Sequence, residues 1–456
     1  MQAPRFLIAA AHKSSGKTVI TTGLAAALAE RGLKVASFKK GPDYIDPMWI
    51  GTATGGVCYN LDFNTQTCTE IETFFASRAQ GSDIAIVEAN KGLFDGVSMD
   101  GSDANAALAK LLKLPVILVI DTGGMTRGIA PLLLGYQAFD PDVNIAGVIL
   151  NKVGGPRHES KLRQAVETYT DLPVVGAVHR HPALEIGERH LGLTTPGETG
   201  EFQKTIRSIA QIIGTSVDLD LLLEIASTAP GLPDPPQPTP RPAPDVTIAV
   251  ARDRAFGFYY PDDLEAFAEA GARLVPFDTM KDPALPDCDG LFLGGGFPEM
   301  FVDALSANAS LRADIRDRIE AGLPTYAECG GLMYLARAIR NGADFGPMVG
   351  VIEADAVMHP RPQGRGYIKV ADTPGHPWAS PGRTIAAHEF HYAQLDRLEG
   401  DPTFARKVLR GHGVDGTHDG IVAHNTLAGF CHLRNTAADP WVARFVDFVR
   451  QNKASS

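Results

Sequence analysis

The chain has 456 residues and a formal net charge of −11, and 44% of its residues are hydrophobic. A chain of this length is too long for a single hydrophobic core, so we expect two to three globular domains. The negative charge argues against nucleic acid as a partner, because contacts to phosphates need a basic face.

The sequence also predicts where the protein resides. No apolar run approaches the roughly 18 residues that a membrane-spanning helix needs, and the N-terminus lacks the layout of a signal peptide. The five cysteines, an odd number, argue against a disulfide framework and favour a reducing compartment. We therefore expect a cytoplasmic protein with no membrane partner.

Residues 1–228 alternate apolar runs with helical segments, as in a doubly wound α/β domain. The predicted strands are short and apolar and comprise residues 6–11, 33–38, 84–88, 116–121, 145–150 and 174–178. Continuous apolar runs of this length are typical of parallel strands covered by helices on both faces. Ligands bind at the carboxyl ends of such strands, and the residues that follow these runs are polar.

A second α/β domain is predicted at residues 246–456, after a proline-rich linker at 229–245. Proline at about every second position predicts a stiff, extended segment there. The alternation resumes with predicted strands at 246–251, 274–276, 290–293 and 324–327 and predicted helices at 262–270 and 310–321.

The segment SSGKT at residues 14–18 predicts a phosphate-binding loop. It joins the first predicted strand to a helical segment at 19–28, so that backbone N–H groups at the start of a helix face an anion. Gly16 permits the turn, Lys17 would reach the outer phosphates of ATP, and the Thr18 hydroxyl would ligate Mg²⁺. The alternative is an ordinary turn with a surface lysine, since Ala11 stands where the usual pattern has glycine.

Four acidic residues follow predicted strands beside this loop: Asp43, Asp46, Glu88 and Asp95. A magnesium ion and a phosphoryl acceptor would need carboxylates at this edge of the sheet. Any one of them alone could instead be a helix N-cap.

Three further polar residues follow strands in the first half. Lys39 and Lys40 are candidates to neutralise a transferred phosphate or a substrate carboxylate. Asn151 follows the strand at 145–150, where its side chain either reads the edge of a nucleotide base or forms an Asx turn. Arg189 and His190 are weaker candidates for an anion contact.

Cys329 lies in PTYAECGGLMYL at 324–335, between a predicted strand and a helix. Such a turn exposes a nucleophile, directs helix N–H groups at an oxyanion and lowers the pKa of a thiol. The glycine-rich run LFLGGGFPE at 291–299 offers further oxyanion donors, and His432 is the candidate base. The alternative is a core cysteine, which is our interpretation of Cys58, Cys68, Cys288 and Cys431.

Two histidines, His388 and His391, flank an acid in HEFHY. A zinc site would need a third ligand at a familiar spacing, and none is present. We expect these histidines to line an interface instead.

With these motifs in view, the chain resembles, essentially end to end, the cobyrinate a,c-diamide synthase family of glutamine-dependent amidotransferases. The matching motifs occur in the family's order: SSGKT, KKGPDYIDP, LFDGV, GVILNKVGG followed by Arg157-His158, GERHLGL, ARDRAFGFYYP, LGGGFPE, YAECGGLMYL and HEFHY. The first domain is similar to dethiobiotin synthetase and the second to class I glutamine amidotransferases.

The resemblance implies a two-part reaction on a tetrapyrrole polycarboxylate. A substrate carboxylate attacks magnesium-bound ATP to give an acyl phosphate, and Cys329 with His432 releases ammonia from L-glutamine, which displaces phosphate. Tyr44, Asp46 and Asp95 match family positions tied to substrate activation, and Asp46 and Glu88 match positions tied to the metal. Family members tend to form homodimers.

Departures from the family pattern concentrate on the expected substrate side. His12-Lys13 replaces small residues, Lys40 replaces an apolar residue, and Asn90 and Lys91 replace Val-Met-type residues. Extra lysines suit a ring with many carboxylates, and our interpretation is that the substrate differs from the cobalt corrin, with hydrogenobyrinate and a sirohaem-type ring as alternatives to cobyrinate.

One departure concerns the glutaminase. Class I enzymes often have Glu two residues after the catalytic histidine, whereas this chain has Arg434, so His432 must be oriented from elsewhere.

Two other functions are alternatives to the a,c-diamide synthase reaction. The first is a regulatory ATPase of the ParA type, which would have no use for Cys329. The second is that of the related cobyric acid synthase branch, against which the GPDYIDP motif argues.

Overall fold

The computed structural model describes residues 3–186, 188–189, 192–193, 202–237, 239–379 and 382–455, with only the backbone at 188–189, 192–193 and 455. It forms two compact units, Met1–Pro238 and Thr239–Ser456. The division falls within the proline-rich segment, where residues 229–237 and 239–245 form neither helix nor strand. In GERHLGL, His190 and the Arg189 side chain lie outside the described residues.

The first unit is built on a parallel sheet that, over the described residues, has seven strands. Their order is β3-β2-β4-β1-β5-β6-β7, and every neighbouring pair is parallel. The strands are β1 Arg5–Ala10, β2 Val35–Lys40, β3 Cys58–Leu61, β4 Ile84–Glu88, β5 Val116–Asp121, β6 Ile145–Val153 and β7 Val174–His179, with a hairpin of β8 Glu188–Arg189 and β9 Gly192–Leu193. The predicted parallel sheet is thus confirmed.

The helices of the first unit are α1 Lys17–Glu30, α2 Ile45–Thr54, α3 Cys68–Ala79, α4 Asn105–Leu111, α5 Ile129–Phe139, α6 Pro156–Tyr169, α7 Phe202–Ser216 and α8 Leu219–Ser227. Strands β4 and β5 have the predicted bounds, because both are continuously apolar and fully enclosed by helices. Leu7, Val87 and Leu118 from three neighbouring strands share one core with these helices.

Strand β3 was not predicted, because its four residues, CYNL, are short and include a polar Asn60. It pairs with the edge of β2 in parallel register. The Asn60 side-chain amide donates to the carbonyls of Gly41 (2.7 Å) and Asp43 (2.8 Å). This strand therefore supports the GPD turn that carries the candidate acids.

The second unit contains a mixed sheet with the order β12-β10-β13-β15-β24-β23-β22-β19-β20 over the described residues. Its first five strands run parallel and the others are antiparallel. The strands are β10 Val246–Ala251, β12 Ala272–Phe277, β13 Gly290–Leu293, β15 Thr325–Glu328, β19 Gly364–Asp372, β20 Thr384–His391, β22 Thr403–Arg410, β23 His418–Ala423 and β24 Thr426–Gly429.

Two smaller sheets and five helices complete the described part of this unit. The short strands are β11 Phe256–Phe258, β14 Gly295–Gly296, β16 Ala336–Asn341, β17 Asp344–Pro347, β18 Ile352–Met358 and β21 Ala393–Asp396. The helices are α9 Pro261–Glu269, α10 Val302–Ala307, α11 Ala309–Glu320, α12 Gly330–Leu335 and α13 Trp441–Ser455. No helix in the described ranges is long and apolar enough to cross a membrane.

Candidate active sites

The SSGKT segment forms a tight loop between β1 and α1. Ser14 (φ 62°) and Gly16 (φ 87°) both have left-handed backbone conformations, and Gly16 directly precedes the helix that begins at Lys17. A Cβ atom on Gly16 would lie 2.3 Å from the Asn151 side-chain nitrogen, so both the backbone angle and the available space require glycine. The loop places the N-terminal N–H groups of α1 at its centre, as anion binding needs.

Strand β6 supports this loop from the side. The buried Asn151 amide donates to the carbonyl of Ser15 (2.8 Å), and the Lys152 ammonium donates to the carbonyl of Ser14 (3.0 Å). Asn151 therefore contacts the loop backbone itself, and the two predicted uses of its side chain, a base contact and an Asx turn, stay predictions. Lys152 also pairs with Asp121 at 2.7 Å, which ties β5 to the same loop.

A buried cluster of charges lies beside the loop, at the carboxyl ends of β2 and β4. The Thr18 hydroxyl donates to Glu88 Oε1 (2.9 Å) and Asp46 Oδ2 (3.2 Å). The Lys39 ammonium donates to the same two oxygens, Asp46 Oδ2 at 2.6 Å and Glu88 Oε1 at 2.7 Å. The register of β2 against β4 places Lys39 opposite Glu88, so the sheet itself fixes this contact.

Thr18, Asp46 and Glu88 form a donor set that fits a magnesium ion. Glu88 is fully buried, and its second oxygen, Oε2, has no hydrogen-bond partner among the described residues. Magnesium is commonly held by one or two carboxylates, with phosphates and water supplying the other ligands. No group of three or more His, Cys, Asp or Glu in the described residues could hold a metal by itself.

The lysines of this site have opposite pKa shifts. Burial and the nearby Lys39 lower the pKa of Lys17 to about 8. Burial alone would lower the pKa of Lys39, but the Asp46 and Glu88 carboxylates raise it well above its ordinary value. Lys39 is therefore a fixed positive charge, whereas the protonation of Lys17 would be favoured by a bound phosphate.

The other acidic candidates have different surroundings. Asp43 accepts hydrogen bonds from the backbone of Ile45 (3.0 Å) and Asp46 (3.1 Å), so it initiates α2. Tyr44 is half-buried at the residue before that helix. Asp95 is exposed, accepts from the backbone of Gly92 (2.9 Å) and lies close enough to affect the charge of Lys17.

The second lysine of the FKK run does not have the predicted role. We expected Lys40 to meet a phosphate or a substrate carboxylate, but its side chain is buried and its ammonium donates to the carbonyl of Asp103 (2.5 Å). Its location on a strand next to Lys39 explains the difference, because successive side chains of a strand point to opposite faces. Lys40 thus anchors the loop before α4.

In the second unit, Cys329 occupies a sharp turn between β15 and α12. Its backbone angles, φ 48° and ψ −96°, are rare for a residue with a side chain. Gly331 allows the turn to pack against β13, since a Cβ there would lie 2.3 Å from the Leu293 carbonyl oxygen. Strain of this kind is typical of nucleophiles on strand-to-helix turns.

The glycine-rich run after β13 lies against this turn on one side and against the His432 ring on the other. A Cβ on Gly330 would be 3.0 Å from the Gly296 nitrogen, and one on Gly295 would be 2.5 Å from His432 Cε1. The backbone N–H of Cys329 donates to the Gly429 carbonyl (2.7 Å), which joins β15 to the strand that leads to His432. The sequence-predicted nucleophile, base and oxyanion donors are therefore neighbours.

The pKa of the Cys329 thiol is shifted in the direction opposite to our prediction. We predicted that the helix N-terminus would lower its pKa, but burial, Glu299 and Glu328 raise it. Helix α12 is only six residues long, and desolvation penalises a buried thiolate. The thiol therefore needs a base to remove its proton.

The histidines of HEFHY are buried within the second unit. The His388 ring stacks on His432 with centroids 4.8 Å apart, and His391 stacks on Phe430 at 3.8 Å. Both lie on β20, where a spacing of three residues places side chains on opposite faces. The two rings therefore do not point at a common ligand, and the predicted role at an interface stays a prediction.

The remaining cysteines are free thiols. Cys58 and Cys431 are buried as predicted, and Cys288 is partly buried. The prediction of a core position is wrong for Cys68, which is exposed at the start of α3. Cys68 is in phase with the buried residues Ile71 and Phe75, so its exposure comes from its position as the first residue of the helix and not from the helix face on which it lies.

Sequence reasoning missed one residue of the second site, Glu328. Its Oε2 lies 3.4 Å from His432 Nδ1, and both side chains are almost fully buried. Glu328 immediately precedes Cys329, and a charged residue at the end of an apolar parallel strand was the available signal.

Comparison with known proteins defines the class. Residues 6–193 match the CobQ/CobB/MinD/ParA nucleotide binding domain, and residues 247–439 match the CobB/CobQ-like glutamine amidotransferase domain. A nucleotide-binding unit joined to a glutamine amidotransferase defines an ATP-dependent, glutamine-hydrolysing ligase. The alternative of a ParA-type regulatory ATPase does not account for the second domain.

Curated relatives then identify the family. A protein of Magnetococcus marinus named cobyrinate a,c-diamide synthase is 44% identical, with 99% of this chain and 98% of that protein covered. Proteins of the same name from Methanosarcina acetivorans and Archaeoglobus fulgidus are each 39% identical, with 99% of this chain and 96% and 99% of theirs covered. The chain belongs to the cobyrinate a,c-diamide synthase family.

Substitution of Gly16 by alanine is expected to weaken ATP binding about tenfold or more. The new Cβ would clash with the Asn151 amide and strain a residue at φ 87°, and 1.4 kcal/mol of lost binding free energy already corresponds to about tenfold. Gly32→Ala is the control, because Gly32 has a similar φ of 84° but no neighbouring atom within 4 Å. Titration calorimetry with ATP measures both; equal affinities would contradict the steric argument.

Proposed function

We propose that this ligase amidates the a- and c-acetate carboxylates of cobyrinate, with ATP as the activating substrate and glutamine as the nitrogen donor. The observation that carries this proposal is the convergence of Thr18, Asp46 and Glu88 beside a phosphate loop, in a chain whose relatives are named for that reaction. The Cys329 turn supplies the second half of the chemistry.

The first half activates a carboxylate. Lys17 and the N–H groups at the start of α1 bind the phosphates of ATP, and one substrate carboxylate oxygen attacks the γ-phosphorus. The bond from that phosphorus to the ADP oxygen breaks, which leaves an acyl phosphate. Asp95, whose charge acts on Lys17, and Tyr44, at the start of α2, are the residues that we assign to the reacting carboxylate.

Magnesium, when bound, would neutralise phosphate charge in this step. Thr18, Asp46 and Glu88 are the residues that would hold it. Lys39 contributes a permanent positive charge to the same carboxylates: it outweighs burial at Asp46, whose pKa is lowered, whereas burial raises the pKa of Glu88.

The second half releases ammonia. His432 takes the Cys329 proton as the sulfur attacks the glutamine carboxamide carbon, and the same proton goes to the departing nitrogen. Water then hydrolyses the thioester to glutamate, and the ammonia attacks the acyl phosphate, which loses phosphate and becomes an amide. N–H groups around Gly296 and Gly330 are the proposed oxyanion donors.

The proposed ring is cobyrinate because three relatives across nearly the whole chain bear that name. The experiment is mass spectrometry of products after separate incubation of cobyrinate, hydrogenobyrinate and sirohaem with ATP, magnesium and glutamine. We expect cobyrinate to lose about 1 Da per amidation, with two amidations in total. Diamidation of sirohaem alone would overturn the choice of ring while leaving the ligase reaction intact.

Two properties remain predictions from the sequence. A reducing, cytoplasmic location is consistent with five free thiols. The homodimer implied by the family resemblance is testable by light scattering.

Cys329→Ser should separate the two nitrogen sources. A hydroxyl is a far weaker nucleophile than a thiolate here, so we expect glutamine-dependent amidation to fall about 1,000-fold or more while ammonia-dependent amidation stays within about twofold. Cys288→Ser, a partly buried cysteine outside the proposed site, is the control. A parallel loss of both activities in Cys329→Ser would contradict the division of labour.

Asp46→Asn should have the reverse effect. Loss of one carboxylate from the proposed magnesium set is expected to lower ligation about 100-fold or more, with glutamine hydrolysis within about threefold of the parent. The control is Asp83→Asn, a carboxylate that accepts from the Lys34 backbone just before β4 begins, at the other end of the strand from Glu88. Phosphate release and glutamate release are measured side by side; undiminished ligation would remove Asp46 from the site.

A further inference from the structure

The position that often carries the orienting acid in class I amidotransferases has another task here. Arg434, two residues after His432, donates to Asp262 Oδ2 from Nε (3.2 Å) and Nη2 (3.1 Å). Its guanidinium also lies over the Tyr260 ring, 5.1 Å from the centroid. Arg434 therefore fixes the start of α9, and a different group must orient His432.

Glu328 is the carboxylate that meets the imidazole. Its Oε2 is 3.4 Å from His432 Nδ1, and both side chains are 4% exposed or less. The two residues reach each other because β15 and β24 are parallel neighbours, with Glu328 paired to Gly429 in register. The pairing of the two strands therefore sets the contact between Glu328 and His432, and Glu328 is the residue directly before the nucleophile Cys329.

The other oxygen of Glu328 is anchored. Oε1 accepts from the Tyr326 hydroxyl (2.8 Å) and from the Leu433 backbone N–H (3.0 Å). Tyr326 is itself fully enclosed and stacks on Phe292 at 5.6 Å. Because Oε1 is held by two donors, the carboxylate has little freedom to turn away, and Oε2 faces the imidazole.

His388 and Gly295 also lie against the His432 ring, and neither of them carries a negative charge. The His388 ring covers one face, and burial together with His432 and Arg434 holds the pKa of His388 well below its ordinary value, so it is neutral. The Tyr260 hydroxyl contacts His388 Nδ1 at 3.2 Å. Gly295 packs against His432 Cε1 and adds no charge.

We propose that Glu328 is the positioning residue of the glutaminase, which holds His432 with its proton on Nδ1 and leaves Nε2 to accept the Cys329 proton. This inference rests on the proposed function of Cys329 and His432. When the thiol proton moves to Nε2, the imidazolium is stabilised by the adjacent carboxylate. The proton then leaves Nε2 with the ammonia, and Glu328 itself stays ionised throughout.

The test is Glu328→Gln in the full chain. The Gln oxygen can still accept from Tyr326 and Leu433, but its NH₂ would then face Nδ1 and favour the tautomer with the proton on Nε2. We expect kcat for glutamine hydrolysis to fall about 10- to 100-fold, with KM for glutamine within about twofold. A merely structural defect would raise KM as well, so the split between kcat and KM is the readout that marks a positioning role.

Glu389→Gln is the matched control. Glu389 is also a buried carboxylate beside a histidine, 3.7 Å from His391, and it accepts from the backbone of His412 (2.7 Å) and Gly413 (2.8 Å). We expect it to leave kcat and the glutamine KM within about twofold of the parent. Equal kcat losses in Glu328→Gln and Glu389→Gln, or a rise in the glutamine KM of Glu328→Gln as large as its fall in kcat, would reduce Glu328 to a structural residue and overturn the proposal.

A second variant covers the case in which Glu328→Gln does not fold, as judged by circular dichroism. Tyr326→Phe removes one anchor but keeps the carboxylate, and we expect a kcat loss of about threefold to tenfold without a change in the glutamine KM. Unchanged kcat in this variant would contradict the anchoring. Failure of the proposed function gives a different result from failure of this inference. If Cys329 is not the nucleophile, Cys329→Ser still hydrolyses glutamine.

Discussion

The ion pairs of Lys39 with Asp46 and Glu88 are the interaction on which the first site depends. Two carboxylates in a buried position repel each other and lose hydration, so they stay ionised only with a cation between them. Lys39 supplies that cation at 2.6 and 2.7 Å and thereby joins β2, α2 and β4 next to the loop. Thr18 adds α1 through its hydrogen bonds to the same oxygens. The geometry of the loop and the charge of the acids are therefore set together.

The second unit contains a similar arrangement of a buried carboxylate beside a tight turn. A charged residue again ends a parallel strand, Glu328, and its carboxylate is again buried beside a group that becomes positive, His432. A tight turn at Cys329 directly follows this strand and leads into α12. In the first unit, the loop that ends at Gly16 follows β1 and leads into α1 in a similar way. Parallel strands bring such residues together from distant parts of the chain, and the adjacent helix starts are the source of the N–H groups that we propose for phosphate in one unit and for an oxyanion in the other.

The sequence predicts the parts of this arrangement that leave a local pattern. Apolar strands such as β4 and β5, the loop at Gly16 and the Cys329 turn each have one. Contacts that depend on register do not, so the pairing of Lys39 with Glu88 and of Glu328 with His432 required the structure. Antiparallel strands such as β22, with the mixed run TFARKVLR, were missed because they lack a continuous apolar core. Short edge strands such as β3 have too few residues for a periodic signal.

The departures from the family pattern now have different explanations, and this weakens the argument for an unusual macrocycle. Lys40 holds the Asp103 carbonyl, and the Asn90 backbone exchanges hydrogen bonds with the Asn105 side chain at 3.1 and 2.5 Å. Lys40 therefore stabilises the segment between β4 and α4, whereas the Asn90 bonds use its backbone and leave its half-buried side chain unexplained. That side chain and the exposed His12-Lys13 and Lys91 are the departures that remain candidates to meet carboxylates of a ring. Exposed charges of this kind would attract all of these polycarboxylates, so they do not by themselves distinguish one macrocycle from another.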